Sequence, residues 1–423
     1  MANIEKTTLS IVPQDERKSW QSIAFIQTGI IVCIPSLMFG GILADGMNFQ
    51  TAMIAGILGY LLLTVISTIV GIQGFDLGVP TCVIASSSFG KSGSRIILSS
   101  LFIISLIGWF AVQTNVCAAA FSNLFLECFN INIPLEVSTM IWGIIMMITA
   151  VYGISALDKL STYSMPALLL VCFYGVFLAL RKYGLESIHT PVPGALSMIE
   201  SIDICFGFGA IGAVVAADFT RYQKSRVDTV KSTFLGILPS GIIMTAMGYV
   251  MAKATGNYDI SLVMADIGIP LMGMIVLVLG TWTTNTTNSY SAGIDIVMLF
   301  NLKDNQRAKA TLISGFIGTL LALMGAINYL EEFLLLTGYA LTPIAGVMIG
   351  EYWIVLKGDS KSWKPVDGFN KAGILSWGIG TIATITITIG SPIVNGIIIS
   401  SLSFAVLDKV FNKNTNKVNI ISN

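Results

Sequence analysis

The sequence predicts an all-α integral membrane protein of twelve transmembrane helices, and three observations carry that prediction. Hydrophobic residues make up 54% of the chain and charged residues only 11%, against about 25% charged in an average soluble domain. Apolar runs of about 20 residues, the length a helix needs to cross a bilayer, recur between short polar or Pro/Gly breaks. Lysine and arginine alternate strongly between successive connections.

The runs fall near 20–44, 50–73, 95–123, 135–157, 163–182, 200–220, 233–253, 269–300, 309–328, 332–356, 372–390 and 393–411. An even number returns both ends of the chain to one side. With that side taken as the cytoplasm, its segments collect 20 of the 23 basic residues, and the opposite loops hold Arg181, Lys182 and Lys253. The positive-inside rule therefore predicts a multi-pass protein of the cell (inner) membrane with both termini cytoplasmic. Lys+Arg and Asp+Glu both number 23, so net charge points to no nucleic acid or acidic partner. Met1 to Ser19 is polar and the first apolar run exceeds signal-peptide length, so no cleaved leader is expected. The six cysteines stand singly, mostly in apolar runs, and read as small packing residues rather than disulfides or metal ligands.

In chain order, the first run contains Gly29, Pro35, Gly40 and Gly41. The third is interrupted by IGWFAVQTN, Ile107 to Asn115. Trp109 and Gln113 are four apart and share a helix face, so an indole that can stack lies one turn from an amide that can donate and accept. Two readings stay open for that pair: a site for a flat heterocycle, or a packed Trp beside a Gln bonded to a neighbouring helix. The sixth run reads FGFGAIGAVVAADF, Phe206 to Phe219, with Gly207, Gly209 and Gly212. Glycine at such positions allows close helix packing. Glycine clusters five helices apart also suit secondary transporters built from two inverted five-helix repeats, in which the first helix of each half is broken to free backbone groups for substrate and ions.

The eighth run carries GTWTTNTTNS, Gly280 to Ser289. Thr281, Thr283, Thr284, Asn285, Thr286 and Thr287 find no partner in lipid, so they must face protein, water or a ligand. Glu200, Asp203, Asp218, Arg221, Asp295 and Glu351 sit near the ends of runs, where interfacial pairing or capping is the bland explanation, and His189 lies in a proline-rich loop. With no acidic or histidine relay at mid-membrane, an alkali cation held by carbonyl and hydroxyl oxygens is the expected coupling ion, with a proton as the alternative. A channel would need a continuous polar stripe and an enzyme an acid–base or metal cluster, and both are disfavoured as readings.

Several ordered motifs carry a family resemblance. VPQDERKSW (Val12 to Trp20), ASSSFGKSGS (Ala85 to Ser94), GWF (Gly108 to Phe110), YGISALDKLS (Tyr152 to Ser161), AADFTRY (Ala216 to Tyr222), TWTTNTTNSYSAG (Thr281 to Gly293) and GEYW (Gly350 to Trp353) resemble the bacterial cytosine permeases. These belong to the nucleobase:cation symporters, carriers of cytosine, purines, uracil, allantoin and hydantoin. The resemblance implies a five-plus-five inverted-repeat core with broken first and sixth helices, and two further helices. The corresponding parts are a cytoplasmic segment 1–19, repeats 20–182 and 200–356, accessory helices 372–411 and a cytoplasmic tail 412–423. It implies sodium-coupled import of a nucleobase, with cytosine as the first choice, by alternating access, and no cofactor beyond the sodium ion. Sodium would be held by Gly29, Cys33, Gly280, Thr283 and Thr284; the base by Trp109, Gln113, Phe208, Gly209 and Asn285. Phe206 rivals Phe208 as the second stacking ring. Two departures favour another planar N-heterocycle: Gln113 stands where cytosine permeases have a small residue, as in the hydantoin and allantoin branch, and Gly209 with Ala210 replaces an expected serine.

Overall fold

A computed structural model describes residues 8–189, 194, 196–256 and 268–421, and every regular element among them is helical. The twelve runs become helices in the expected order, and the first run is divided in two. Trp20–Ile31 and Ile34–Gly46 are bent by 51° about Val32 and Cys33, which leave the helical region (φ −79°, ψ 76° and φ −141°, ψ 169°). Pro35 follows the break, in the first turn of the second half, where a missing N–H costs nothing. The amide of Cys33 and the hydroxyl of Ser36 both donate to the Ile31 carbonyl, at 2.9 and 2.6 Å, satisfying one carbonyl that the break frees.

The other spans are Phe49–Leu77, Ser99–Phe129, Leu135–Val151, Ile154–Tyr183, Met198–Val214 with Ala217–Thr220, Arg226–Thr255, Pro270–Leu299, Arg307–Leu323, Leu330–Ile349 running into a wide turn at Gly350–Val355, Lys371–Thr386 and Pro392–Ile421. Three differences from expectation follow. The sixth helix runs unbroken through its glycines and turns only at Val215 and Ala216. Gly209 is used for packing instead, since a Cβ there would lie 2.5 Å from Leu63 Cδ2, and Gly207 would meet nothing within 4 Å. The seventh helix starts at Arg226, before its apolar run, because Ser225 caps it by accepting from the Asp228 amide at 3.0 Å. The last helix continues to Ile421, through residues expected as a tail. His189 closes the short turn Leu185–His189.

Around an apolar core, the outer surface is itself apolar and polar side chains lie inside, as a bilayer requires. Leu170, Phe173 and Phe177 on the fifth helix and Leu402, Val406 and Val410 on the twelfth face outward, while Thr64, Gln73, Gln113, Asn285 and Asp295 are inside. Small residues let backbones meet. Gly248 on the seventh helix abuts the Leu37 carbonyl and Gly40 the Thr245 carbonyl, locking the second half of the broken span to the seventh helix.

Hydrogen bonds show which connections share a face. Val12 N donates to Gly78 O, Lys18 N to Tyr222 O and Thr8 Oγ1 to Asp304 O, Lys18 pairs with Asp158 at 3.4 Å, and Lys91 N donates to Val366 O. These are the connections that collect the basic residues. On the opposite face, Leu196 N reaches Gly46 O and Tyr249 Oη reaches Met47 O.

Candidate functional site

The broken first span, the third, sixth and eighth spans enclose a central cavity of about 50 Å³. A water needs roughly 10–15 Å³ of such space, so this is room for a few waters. Its wall includes Cys33, Trp109, Gln113, Phe208, Thr284 and Asn288, and no charged or histidine side chain borders it among the described residues. A buried ion would need a partner there, so the wall suits a neutral ligand.

Trp109 and Phe208 face each other with ring centroids 6.4 Å apart and planes tilted by 45°. Phe333 on the tenth span presses edge-on against the indole at 5.7 Å and fixes its plane. A flat ring held between two rings at van der Waals contact needs about 7–8 Å, so the pair must open by about 1 Å and turn parallel to hold one. Of the two phenylalanines, Phe208 lines the cavity, while Phe206 is 1% exposed and packed into the core. Gly209 lines it too, although its missing Cβ answers to Leu63. Gln113, one turn from Trp109, is 2% exposed, and its Oε1 has no hydrogen-bond partner among the described residues. An orphaned buried carbonyl costs about 1–3 kcal/mol; here it is an acceptor waiting at the edge of the ring slot.

Asn285 goes elsewhere. Its Nδ2 donates to Phe110 O and Thr114 Oγ1, both at 3.0 Å, and contacts Met146 Sδ at 3.2 Å, so the amide clamps the eighth span to the third and fourth. Asn288 lines the cavity instead, and it donates to Asn285 Oδ1 at 3.4 Å. Thr287 and Ser291 are on the same wall. A sequence signal for this existed: Thr284, Thr287, Asn288 and Ser291 follow the 0, 3, 4, 7 spacing of one helix face.

Beside the cavity four oxygens converge. Thr283 Oγ1 lies 3.2 Å from Gly29 O and 3.0 Å from Gly280 O; Thr284 Oγ1 lies 3.1 and 2.9 Å from the same two carbonyls. A hard cation held at about 2.3–2.6 Å spaces neighbouring oxygens by roughly 3.2–3.7 Å, so the cluster fits a small cation after expanding by a few tenths of an ångström. Its members are uncharged, as a site reversibly used by a monovalent ion needs. Cys33 is adjacent: its carbonyl accepts from Ser36 N at 3.2 Å, and its thiol lies against Thr284 and Gln113. Val32 O lies 3.3 Å from where a Gly280 Cβ would stand. Ser161 on the fifth span, not singled out from sequence, puts its Oγ 2.9 Å from the corresponding point on Gly29. Thr284 thus belongs to both the oxygen cluster and the cavity wall, and the Cys33 thiol, also on the wall, lies against it.

On the far side of Phe208 a wider cleft of about 770 Å³ opens, bordered by Glu200, Asp203, Tyr339 and Thr388 near the weakly basic face. Ser391 donates to Asp203 there. Phe208 is the partition between cleft and cavity.

A helix broken at its centre, facing a central cavity, is the architecture of an inverted-repeat membrane transporter. Solved structures share it: Mhp1, a nucleobase-cation-symport-1 family transporter, in a closed conformation with bromovinylhydantoin bound, superposes with a TM-score of 0.86 at 19% identity over 97% of this chain and 96% of that one. The inward-facing conformation of Mhp1 gives 0.81 at 20% identity, over 97% and 95%. Residues 11–407 match the family of permeases for cytosine/purines, uracil, thiamine and allantoin, and the chain belongs to that family. The cytosine permease of Escherichia coli (strain K12) is 28% identical over 408 residues, 96% of this chain and 94% of the permease. The protein is a multi-pass membrane transporter of nucleobase-type small molecules, and it is not an enzyme.

Proposed function

We propose that the chain is a sodium-coupled importer of a neutral, planar N-heterocycle, cytosine first among them, in the cell membrane with both termini in the cytoplasm. The observation that carries the substrate class is the uncharged slot between Trp109 and Phe208, with the unpartnered Gln113 Oε1 at its edge. The base stacks between the two rings and gives an N–H to Gln113, while Asn288 offers a further amide. A second reading, a hydantoin- or allantoin-like ring, is favoured by Gln113 itself, since its single free acceptor asks only for a ring N–H and not for cytosine's exocyclic amine.

Coupling follows from the shared wall. A sodium ion held by Gly29 O, Gly280 O, Thr283 and Thr284 ties the broken first span to the eighth. It also fixes Thr284, and the Cys33 thiol against it, where they line the slot. Each ligand then favours the conformation the other needs, and each raises the other's affinity by the same factor. Opening of Phe208 toward the wide cleft admits the pair; rocking of the first and sixth spans against the third and eighth releases them on the basic face. Uptake of radiolabelled cytosine into proteoliposomes with and without an inward sodium gradient tests this. Accumulation driven by sodium supports it, and accumulation driven only by a pH gradient assigns coupling to protons instead.

A further inference from the structure

Residues 8–18 lead into the first span and include most of the motif VPQDERKSW; they lie outside the cavity and the oxygen cluster, yet they are bonded at both ends. Toward the first span they are tied to the second and sixth. Val12, 2% exposed, gives its amide to Gly78 O at 2.9 Å, and Lys18 gives its amide to Tyr222 O at 2.7 Å. Arg17 donates to Gln223 O at 2.8 Å, with its guanidinium 5.3 Å from the centre of the Phe75 ring. Gly78 closes the second span at φ 68°, a left-handed conformation that glycine adopts without strain, and a Cβ there would stand 3.0 Å from Ile11 Cγ2.

The other end crosses to the connection between the eighth and ninth spans. Asp304 Oδ1 accepts from Leu9 N at 3.3 Å, and Oδ2 accepts from Ser10 N at 3.2 Å and from the Ser10 hydroxyl; the Asp304 carbonyl accepts from Thr8 Oγ1. Leu9 packs against Ile296, Val297 and Ala310 of those two spans. Arg221, just past the sixth span, donates to Thr8 O at 2.5 Å, so Thr8 joins the sixth span to Asp304. Lys18 adds a partly exposed ion pair at 3.4 Å with Asp158 of the fifth span, and such a pair contributes little.

The segment therefore bridges two groups of spans that move against each other in the transport cycle above. A hydrogen bond stretched beyond about 3.5 Å is lost, so one end of the bridge must let go for the basic face to open. The bonds at Asp304 are the ones to break. Residues 12–18 run directly into the first span and are held to the second and sixth by backbone bonds, whereas Ser10 is exposed and water can take its place on the Asp304 carboxylate. We propose that residues 8–18 are a strap that holds the basic face closed, and that release of Asp304 frees the sixth span from the eighth; the inference rests on the rocking motion of the transport reading. Bonds made only in the closed form raise its share of the population, and water on the carboxylate makes their loss reversible.

Hydrogen exchange read by mass spectrometry on the full chain, in detergent with sodium and without base, tests the strap. In Asp304→Ala the charge-assisted bonds to Leu9 and Ser10 are gone. Exchange at residues 216–223 and 296–302, the basic-face ends of the sixth and eighth spans, should then rise about tenfold, while residues 43–52 on the opposite face exchange as in the wild type. Wild-type rates at the two basic-face ends overturn the strap. So does a rise shared equally by both faces, which is general loosening. Should Asp304→Ala fold poorly, deletion of residues 1–10 removes the same bonds from the other partner and is read in the same way. No base takes part, so either failure leaves the transport reading standing. Failure of the wild type to take up cytosine, uracil, hydantoin or allantoin into proteoliposomes overturns the transport reading and the strap with it.

Discussion

Gln113→Leu separates binding from folding more cleanly than any other change. The side chain is 2% exposed and its Oε1 is without a partner, so the folded protein already bears the cost of a buried, unsatisfied carbonyl. Leucine nearly conserves the volume and removes that cost, so stability should hold or rise by about 1 kcal/mol. The base loses in the opposite sense: an N–H that met Oε1 is left facing a methyl group, at a cost of about 1–3 kcal/mol, which is roughly 5- to 150-fold in Kd. The assay is paired: thermal unfolding in detergent, and equilibrium binding of radiolabelled cytosine at saturating sodium. A variant as stable as the wild type with weakened binding is the expected outcome. Unchanged affinity would refute the slot's orientation, because among the described residues Gln113 is its polar group one turn from Trp109.

Trp109→Ala should abolish base binding and leave the bundle folded, because the third span keeps its other contacts; retained affinity moves the slot elsewhere. Thr283→Ala with Thr284→Ala should raise the sodium concentration needed for half-maximal uptake more than it weakens base binding at saturating sodium; an unchanged sodium curve leaves those hydroxyls bonding only the preceding turn of their helix. Asn285→Ala breaks the clamp to Phe110 and Thr114, so the loss should show in thermal stability, about 1–3 kcal/mol, rather than in discrimination between bases. Gly248→Ala drives a methyl group into the Leu37 carbonyl and should cost about 1–3 kcal/mol through overpacking, read as a lowered Tm.

Much of the architecture was legible because bilayer physics writes it into hydropathy and basic-residue placement. The connections that the charge count assigns to one side are the ones that hydrogen-bond together, as Val12 with Gly78 and Lys91 with Val366 show. Breaks were harder to place. Gly29 and Pro35 flank a real break at Val32 and Cys33, but the sixth-span glycines looked alike in sequence and make close contact or empty space instead, with the turn falling at Val215. Composition cannot distinguish a glycine that bends a helix from one that admits Leu63. The polar stretch Gly280 to Ser289 showed that something must be met without showing which face meets it. Asn285 drew attention as the amide nearest the threonines, yet 100° of helical rotation per residue turns it to Phe110 and brings Asn288 to the cavity. Asp218 and Asp295 read as interfacial in sequence because nearness to a helix end says nothing about burial, which depends on elements such as those carrying Thr81 and Ser99.

The central claim is that the oxygen cluster and the ring slot share Thr284, with the Cys33 thiol against it, so that ion and base bind as one unit. Equilibrium binding of radiolabelled cytosine, titrated across sodium concentrations at fixed pH, tests it most directly. The account predicts a cytosine Kd that falls as sodium rises, with an equal fall in the sodium Kd as cytosine rises. A cytosine Kd independent of sodium would contradict it.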